Sequence, residues 1–211
     1  MATTIPSIAC LGVIGRNNNP LHITIFPSHD PSTGTATAPL RTPLQFSLLL
    51  SATLDVFELR ASRRSGGASA AGGGGGVGLG GDQAGSSSSL LHAVDERLAA
   101  YGSETNTGVR FVAVVDVRGR SVAGSVVAGG GGVGGLGDRK GMAAVGLREA
   151  DMKPVFKAMQ TAYIKLLQNP FYDPDEHAPL GGRGGKKITS RKFAEDMRRI
   201  GETWTPGMTS L

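Results

Sequence analysis

VRFVAVVDV, residues Val109–Val117, is the stretch on which the fold turns. Apart from Arg110 and Asp116 every residue in it is apolar, and its β-branched valines favour an extended chain. A near-continuous apolar run of this length suits a strand covered on both faces, so it is expected at the centre of a sheet. Two weaker strand candidates precede it, Leu90–Val94 and Arg97–Tyr101, and the three together predict a meander.

Working outward, Ile5–Ile14 and Leu21–Phe26 are apolar and partly β-branched. Between them lies Gly15-Arg16-Asn17-Asn18-Asn19-Pro20. Gly and Asn tolerate positive φ and Pro20 cannot donate to a strand ladder, so this is a hairpin connection. Ser28–Arg41, rich in Pro and Thr, is expected to be a loop. A helix is expected to start at Thr42-Pro43, with Thr42 as cap, Pro43 preset for the first helical position and Gln45 at capping-box spacing. Phe46, Leu49, Leu50, Thr53, Leu54 and Phe57 follow its 3.6-residue period, and Ser51, Asp55, Glu58 and Ser62 form the opposite, polar stripe. This helix should end near Arg63, before Gly66.

A second helix is expected from Asp151 to Gln168, capped by Asp151, with Pro154 in its first turn. Met152, Val155, Phe156, Met159, Tyr163, Leu166 and Leu167 share its apolar stripe, and Asn169-Pro170 stops it. A last helix follows Ser190, with Phe193, Met197, Ile200 and Trp204 on one face. The predicted fold class is therefore α/β: a sandwich of one five-stranded antiparallel sheet flanked by three helices, in the order β-β-α-β-β-β-α-α. Of 211 residues 33 are Gly, gathered mostly in two tracts at about 66–89 and 119–146. Such tracts bury too little apolar surface to offset their ordering entropy, so both are expected to be disordered insertions. Without them about 150–160 residues are left, enough for a single domain within 1–211.

The composition narrows the function. A net charge of +5 invites a nucleic-acid or acidic-membrane reading. The densest basic run, Lys186, Lys187, Arg191 and Lys192, is followed by Glu195 and Asp196 and reads as a solvated face. Cys10 is the one cysteine and sits in an apolar run, which excludes an internal disulfide and predicts a reducing compartment. No stretch approaches the ~20 apolar residues of a membrane span, and the N-terminus lacks the charge pattern of a secretory signal.

Reactive constellations are wanting too. GGLGDRKG lacks the Gly-Lys-Ser/Thr ending of a phosphate loop, and GGRGGKKIT has Leu180 and Lys187 at two defining positions. There is no Gly-x-Ser-x-Gly, and His22, His29, His92 and His177 make no metal-ligand pair. Asp173, Asp175, Glu176 and His177 lack the central Gly and distal Glu of a calcium loop. A single Gly-Gly-Arg-Gly-Gly around Arg183 is weak support for RNA binding. Asn169-Pro170-Phe171-Tyr172 matches an Asn-Pro-x-Tyr sorting signal, but it closes an amphipathic helix, where Phe171 and Tyr172 are expected to fold back onto the core. No catalytic residue, metal or cofactor is expected. A docking protein is the natural reading.

The order of these pieces resembles one family. IACLGVIGRNNNPLHI is similar to the opening hairpin of sedlin-like subunits of TRAPP tethering complexes, ATLDVFEL to their first helix and VRFVAVVD to their last strand. LREADMKPVFKAMQTAYIKLLQNPFYDP resembles their long second helix with its Asn-Pro-Phe-Tyr stop, and SRKFAEDMRRI their terminal helix. Within the family the subunit 2-like branch is the nearer fit. The resemblance implies a longin-type fold and a non-catalytic adaptor. It implies a place among other TRAPP subunits in a complex that tethers vesicles and promotes nucleotide exchange on Rab GTPases. It also implies action between endoplasmic reticulum and Golgi, with cytoplasmic location and peripheral membrane association. Asp55 matches the acidic position of the family's first helix that is implicated in partner contacts, with Ser51 and Glu58 beside it. The glycine tracts have no counterpart in compact family members. The competing readings are a longin-type module elsewhere in traffic, and a small enzyme or RNA binder.

Overall fold

A computed structural model describes residues 3–30, 35–66, 89–122, 147–179 and 185–211. The described residues hold seven strands: β1 (Thr3–Ile14), β2 (Pro20–Ile25), β3 (Ser28–His29), β4 (Ala36–Thr37), β5 (Ser89–Ala93), β6 (Leu98–Glu104) and β7 (Arg110–Val122). The helices are α1 (Pro43–Gly66), α2 (Glu149–Leu167), the single turn α3 (Pro174–His177) and α4 (Arg191–Thr203). Five strands form one antiparallel sheet in the order β2-β1-β7-β6-β5, so the VRFVAVVDV segment occupies its centre as expected. The α/β sandwich is the predicted one, with the three long helices in the predicted order.

Alternation along the two middle strands divides the core. Val112 and Val114 of β7, with Cys10 and Ile14 of β1, pack with Phe46, Leu50 and Phe57 of α1. Phe111, Ala113 and Val115, with Leu11 and Val13, pack with α2 and α4 on the other face. The alternation breaks inside the apolar run of β1. The β1–β7 register shifts between Ile8 and Cys10, and Ala9 and Cys10 then both join the α1 side. A bulge places two consecutive residues opposite one, which is how neighbours come to share a face.

Close approach of α1 depends on glycine. A Cβ at Gly12 would meet the Leu50 side chain, and one at Gly102 would meet Leu91 and Phe57. The capping box is formed as predicted, with the Gln45 N–H donating to Thr42 Oγ1 (3.3 Å) and the Thr42 N–H to Gln45 Oε1 (3.0 Å).

Several expectations need correction. Ser28–Arg41 contains the short β3–β4 ribbon, in which Ser28 pairs with Thr37 and His29 with Ala36. Two-residue strands carry no periodicity for a sequence to display. β6 begins one residue later and runs three further than Arg97–Tyr101, in register with β7 to its end at Glu104. β7 continues through Gly119 to Val122, where the second glycine tract was expected to begin. Gly119 is structural: a Cβ there would strike the backbone of Ile5 and Ser7, beside the second register shift of β1. Gly66 likewise closes α1 and Ser89 opens β5. The rest of both tracts lies outside the described residues.

α2 begins at Glu149, not Asp151. Asp151 sits at the third helical position, where its carboxylate accepts from the Arg148 N–H (3.0 Å). Pro154 therefore falls inside the helix, in the second turn. Leu167 is exposed and Tyr163 only half-buried, so the apolar stripe is narrower than read. Phe171 does not fold back onto the core but is 95% exposed, whereas Tyr172 packs against it.

His22 of β2 sets a pH dependence. Its ring meets Phe193 of α4 edge-on at 5.2 Å, and burial holds its imidazole below the ordinary 6.5. His29 is lowered as well, by burial and then by Arg120, with Asp116 opposing. Between the ordinary and the lowered value the unfolded chain binds more protons, so stability falls as pH drops through that window. Melts at about pH 7.5 and about pH 5.5 should show a lower Tm in acid, and His22→Gln should narrow the gap. An unchanged gap would show that His22 contributes nothing to it.

Candidate docking surface

Because Phe46, Leu50, Thr53 and Phe57 turn inward, the opposite stripe of α1 faces out. Ser51, Asp55 and Glu58 stand exposed on it, as their spacing predicts. Ser51 Oγ donates to Ser47 O (3.1 Å), and Glu58 accepts from Asn18 Nδ2 of the β1–β2 turn (3.3 Å).

This stripe is not simply polar. Leu44, Leu48 and Leu59 are 70%, 62% and 60% exposed. With Ser51 and Asp55 they follow steps of four, three, four and four residues, the spacing of one helical face. Asp55 therefore sits in a mixed surface, between Leu48 and Leu59. These leucines are absent from the predicted polar stripe, although the same step pattern marks them.

Beside the stripe runs a shallow groove of about 340 Å³ between α1 and β5, lined by Arg41, Leu48, Leu49, Ala52, His92 and Val94 among others. Arg41 pairs with Asp95 across its end at 2.8 Å. Burial pushes the Asp95 carboxyl up, but the Arg41 bond and the N–H groups of Arg97 and Leu98 outweigh it and hold the group below its ordinary range. β5 is an edge strand of the sheet, and Leu90 on it is exposed. Leu48 belongs to both the helix face and the groove and joins them into one candidate surface.

The other candidate groups are placed in structural roles. Cys10 is fully buried and burial pushes its thiol up to about 12, which leaves it protonated and unreactive. The Asp173 carboxylate accepts from the Asp175 N–H (2.9 Å) at the start of α3, Glu176 pairs with Lys186 (3.0 Å), and His177 Nδ1 meets Lys186 O (2.6 Å). Among the described residues no group of three His, Cys, Asp or Glu is placed to hold a metal ion. No helix among them is long and apolar enough to cross a membrane. Lys186, Lys187, Arg191 and Lys192 of the basic run all stand exposed, the solvated face expected, and further along α4 Arg199 lies near Asp196 (3.7 Å) and Arg198 pairs with Glu202 (2.9 Å).

The sequence matches the sedlin family over residues 13–203, nearly the whole chain. The chain belongs to the sedlin family. Among relatives of this sedlin-family chain, the trafficking protein particle complex subunit 2-like protein of Dictyostelium discoideum is 22% identical over 200 residues, covering 92% of this chain and 95% of the relative. The protein of the same name from Mus musculus is 24% identical over 184 residues, covering 87% and 89%. Coverage this complete at such low identity fits a conserved arrangement of elements. It agrees with the sandwich described above and with the resemblance to the subunit 2-like branch.

Proposed function

We propose that this sedlin-family chain is a non-catalytic adaptor subunit of a TRAPP-type vesicle-tethering complex, and that it joins its neighbours through the outer face of α1. The observation that carries the reading is the mixed stripe of Leu44, Leu48 and Leu59 around Asp55. Leucines held 60–70% exposed on a rigid helix gain by being covered, and a carboxylate among them selects the partner that covers them. The names of the subunit 2-like relatives supply the kind of assembly. In this reading the chain is one longin-like domain with no cofactor and no nucleic acid to bind. It acts on Rab GTPases only through the complex, in transport between endoplasmic reticulum and Golgi. It is cytoplasmic, and it meets membranes peripherally by way of its partners.

Asp55→Tyr tests the proposal. The side chain points into solvent, so the variant should keep the melting temperature of the parent. The bulky ring should lower co-purification of the partner subunits at least about tenfold, equivalent to roughly 1.4 kcal/mol. Leu48→Glu should act in the same direction by charging the apolar part of the stripe. Undiminished recovery of partners with both variants would sink the α1 surface as the docking site.

A further inference from the structure

The end of α2 carries a feature that the α1 surface does not explain. Phe171 is 95% exposed, the most exposed large hydrophobic side chain among the described residues. It stands on a fixed turn. The Asn169 N–H donates to Leu166 O (3.1 Å), closing the helix, and the Phe171 N–H donates to Asn169 Oδ1 (3.2 Å). The Tyr172 N–H then donates to Asn169 O (3.0 Å), and Pro170 fixes φ between them. On the far side Tyr172 stacks on His177, with centroids 4.6 Å apart and planes 11° from parallel. The turn is held at both ends, and the ring that projects from it is Phe171.

This arrangement changes how the motif reads. A partner recognising Asn-Pro-x-Tyr needs the tyrosine, but Tyr172 is half-buried and committed to His177. A partner recognising Asn-Pro-Phe needs an asparagine-closed turn with the phenylalanine outermost, which is the conformation found here. Ile164 and Leu167, 45% and 44% exposed and three residues apart on α2, extend the apolar surface toward the turn. Asp173 and Asp175, both exposed, follow it immediately and would face a basic rim.

We propose that Asn169-Pro170-Phe171 is a preorganised recognition turn that seats the Phe171 ring in an apolar, cation-rimmed pocket of a partner domain of the class that reads Asn-Pro-Phe turns. Phe171 is the anchor. The Asn169 side chain sets the shape of the turn before binding, which lowers the ordering cost of association. The turn follows α2, on the sheet face opposite α1, so both surfaces are available to separate partners at once.

The test uses the full chain and, as probe, a purified helical domain known to bind Asn-Pro-Phe peptides. The parent should bind it and be displaced by a short Asn-Pro-Phe peptide. Phe171→Ala should weaken binding at least about tenfold with an unchanged Tm, because the ring touches nothing that holds the fold. Asn169→Ala should weaken it too, because it removes the asparagine and loosens the turn. Asp55→Tyr should bind as the parent does, which separates this proposal from the α1 docking surface. Failure of the parent to bind, or equal binding by Phe171→Ala, would overturn it. Loss of co-purifying subunits from Phe171→Ala would also overturn it, since the ring would then belong to an intersubunit contact.

Discussion

Trp204→Ala is expected to destabilise the fold by about 3–5 kcal/mol. The indole is completely buried where α4 ends. Its backbone N–H donates to Ile200 O (3.2 Å) and so closes α4, while its Nε1–H donates to Asp151 O (3.1 Å) in the first turn of α2. That turn is a weak point, because Pro154 lacks the N–H that would have bonded one turn back, to Ala150 O. The indole thus joins the end of α4 to the first turn of α2. Truncation removes the largest fully buried side chain among the described residues and leaves a cavity between α2 and α4. Trp204→Phe keeps most of the volume and deletes the polar bond, so its cost should be smaller, about 1–2 kcal/mol. Denaturant titration of the three proteins measures both. A Trp204→Ala cost below about 1 kcal/mol would mean that the two helices hold together without it.

Helical periodicity explains why much of this was legible beforehand. Phe46, Leu50, Thr53 and Phe57 return to one side of α1 every three or four residues, and that fixes which face is buried and leaves Ser51, Asp55 and Glu58 outside. The capping box at Thr42 and Gln45 is local, so spacing alone reveals it. VRFVAVVDV announced a central strand because only a strand covered on both faces stays apolar on both sides. What stayed hidden depends on contacts between distant segments. Gly12 and Gly102 look like any other glycines in this glycine-rich chain until Leu50, Phe57 and Leu91 are seen lying on them. Gly119 looks like the start of a tract, but it lies in β7 where the paired β1 backbone leaves no room for a Cβ. Phe171 failed for the opposite reason. Its apolar character suggested burial, but the Asn169 turn decides its direction.

The proposed docking surface was half legible. Asp55 could be found by its phase on the helix and by family resemblance. Leu44, Leu48 and Leu59 share that phase, yet a stripe named for its polar members conceals the apolar ones. A mixed face of this kind matters because leucines supply area and the carboxylate supplies selection.

Asp116→Ala is the second large expected effect, about 2–3 kcal/mol, because it strands a partly buried guanidinium. Asp116 is 1% exposed inside the apolar run of β7. Arg97, immediately before β6, donates to both of its oxygens, Nε to Oδ1 and a terminal nitrogen to Oδ2, each at 2.8 Å. The same guanidinium donates to Ser28 Oγ of β3 (3.0 Å), and the Arg118 N–H donates to Asp116 Oδ1 (3.1 Å). The Asp116 bonds hold the Arg97 guanidinium above its ordinary range, against an opposing push from burial. The pair thus supports the Leu98–Asp116 register, and through Arg97 it attaches the β3–β4 ribbon, which is how a charged residue comes to lie in the central strand. The side chain of Arg97 is 31% exposed, so water relieves part of the loss and the cost should stay below that of a fully buried pair. A double-mutant cycle separates the pair from its desolvation. Arg97→Met with Asp116→Leu removes both charges and should recover at least half of the loss in Asp116→Leu, with Arg97→Met alone as the other single. If the double variant is instead as unstable as the sum of the singles, the pair adds no coupling energy, and the apolar packing of β7 alone sets the register.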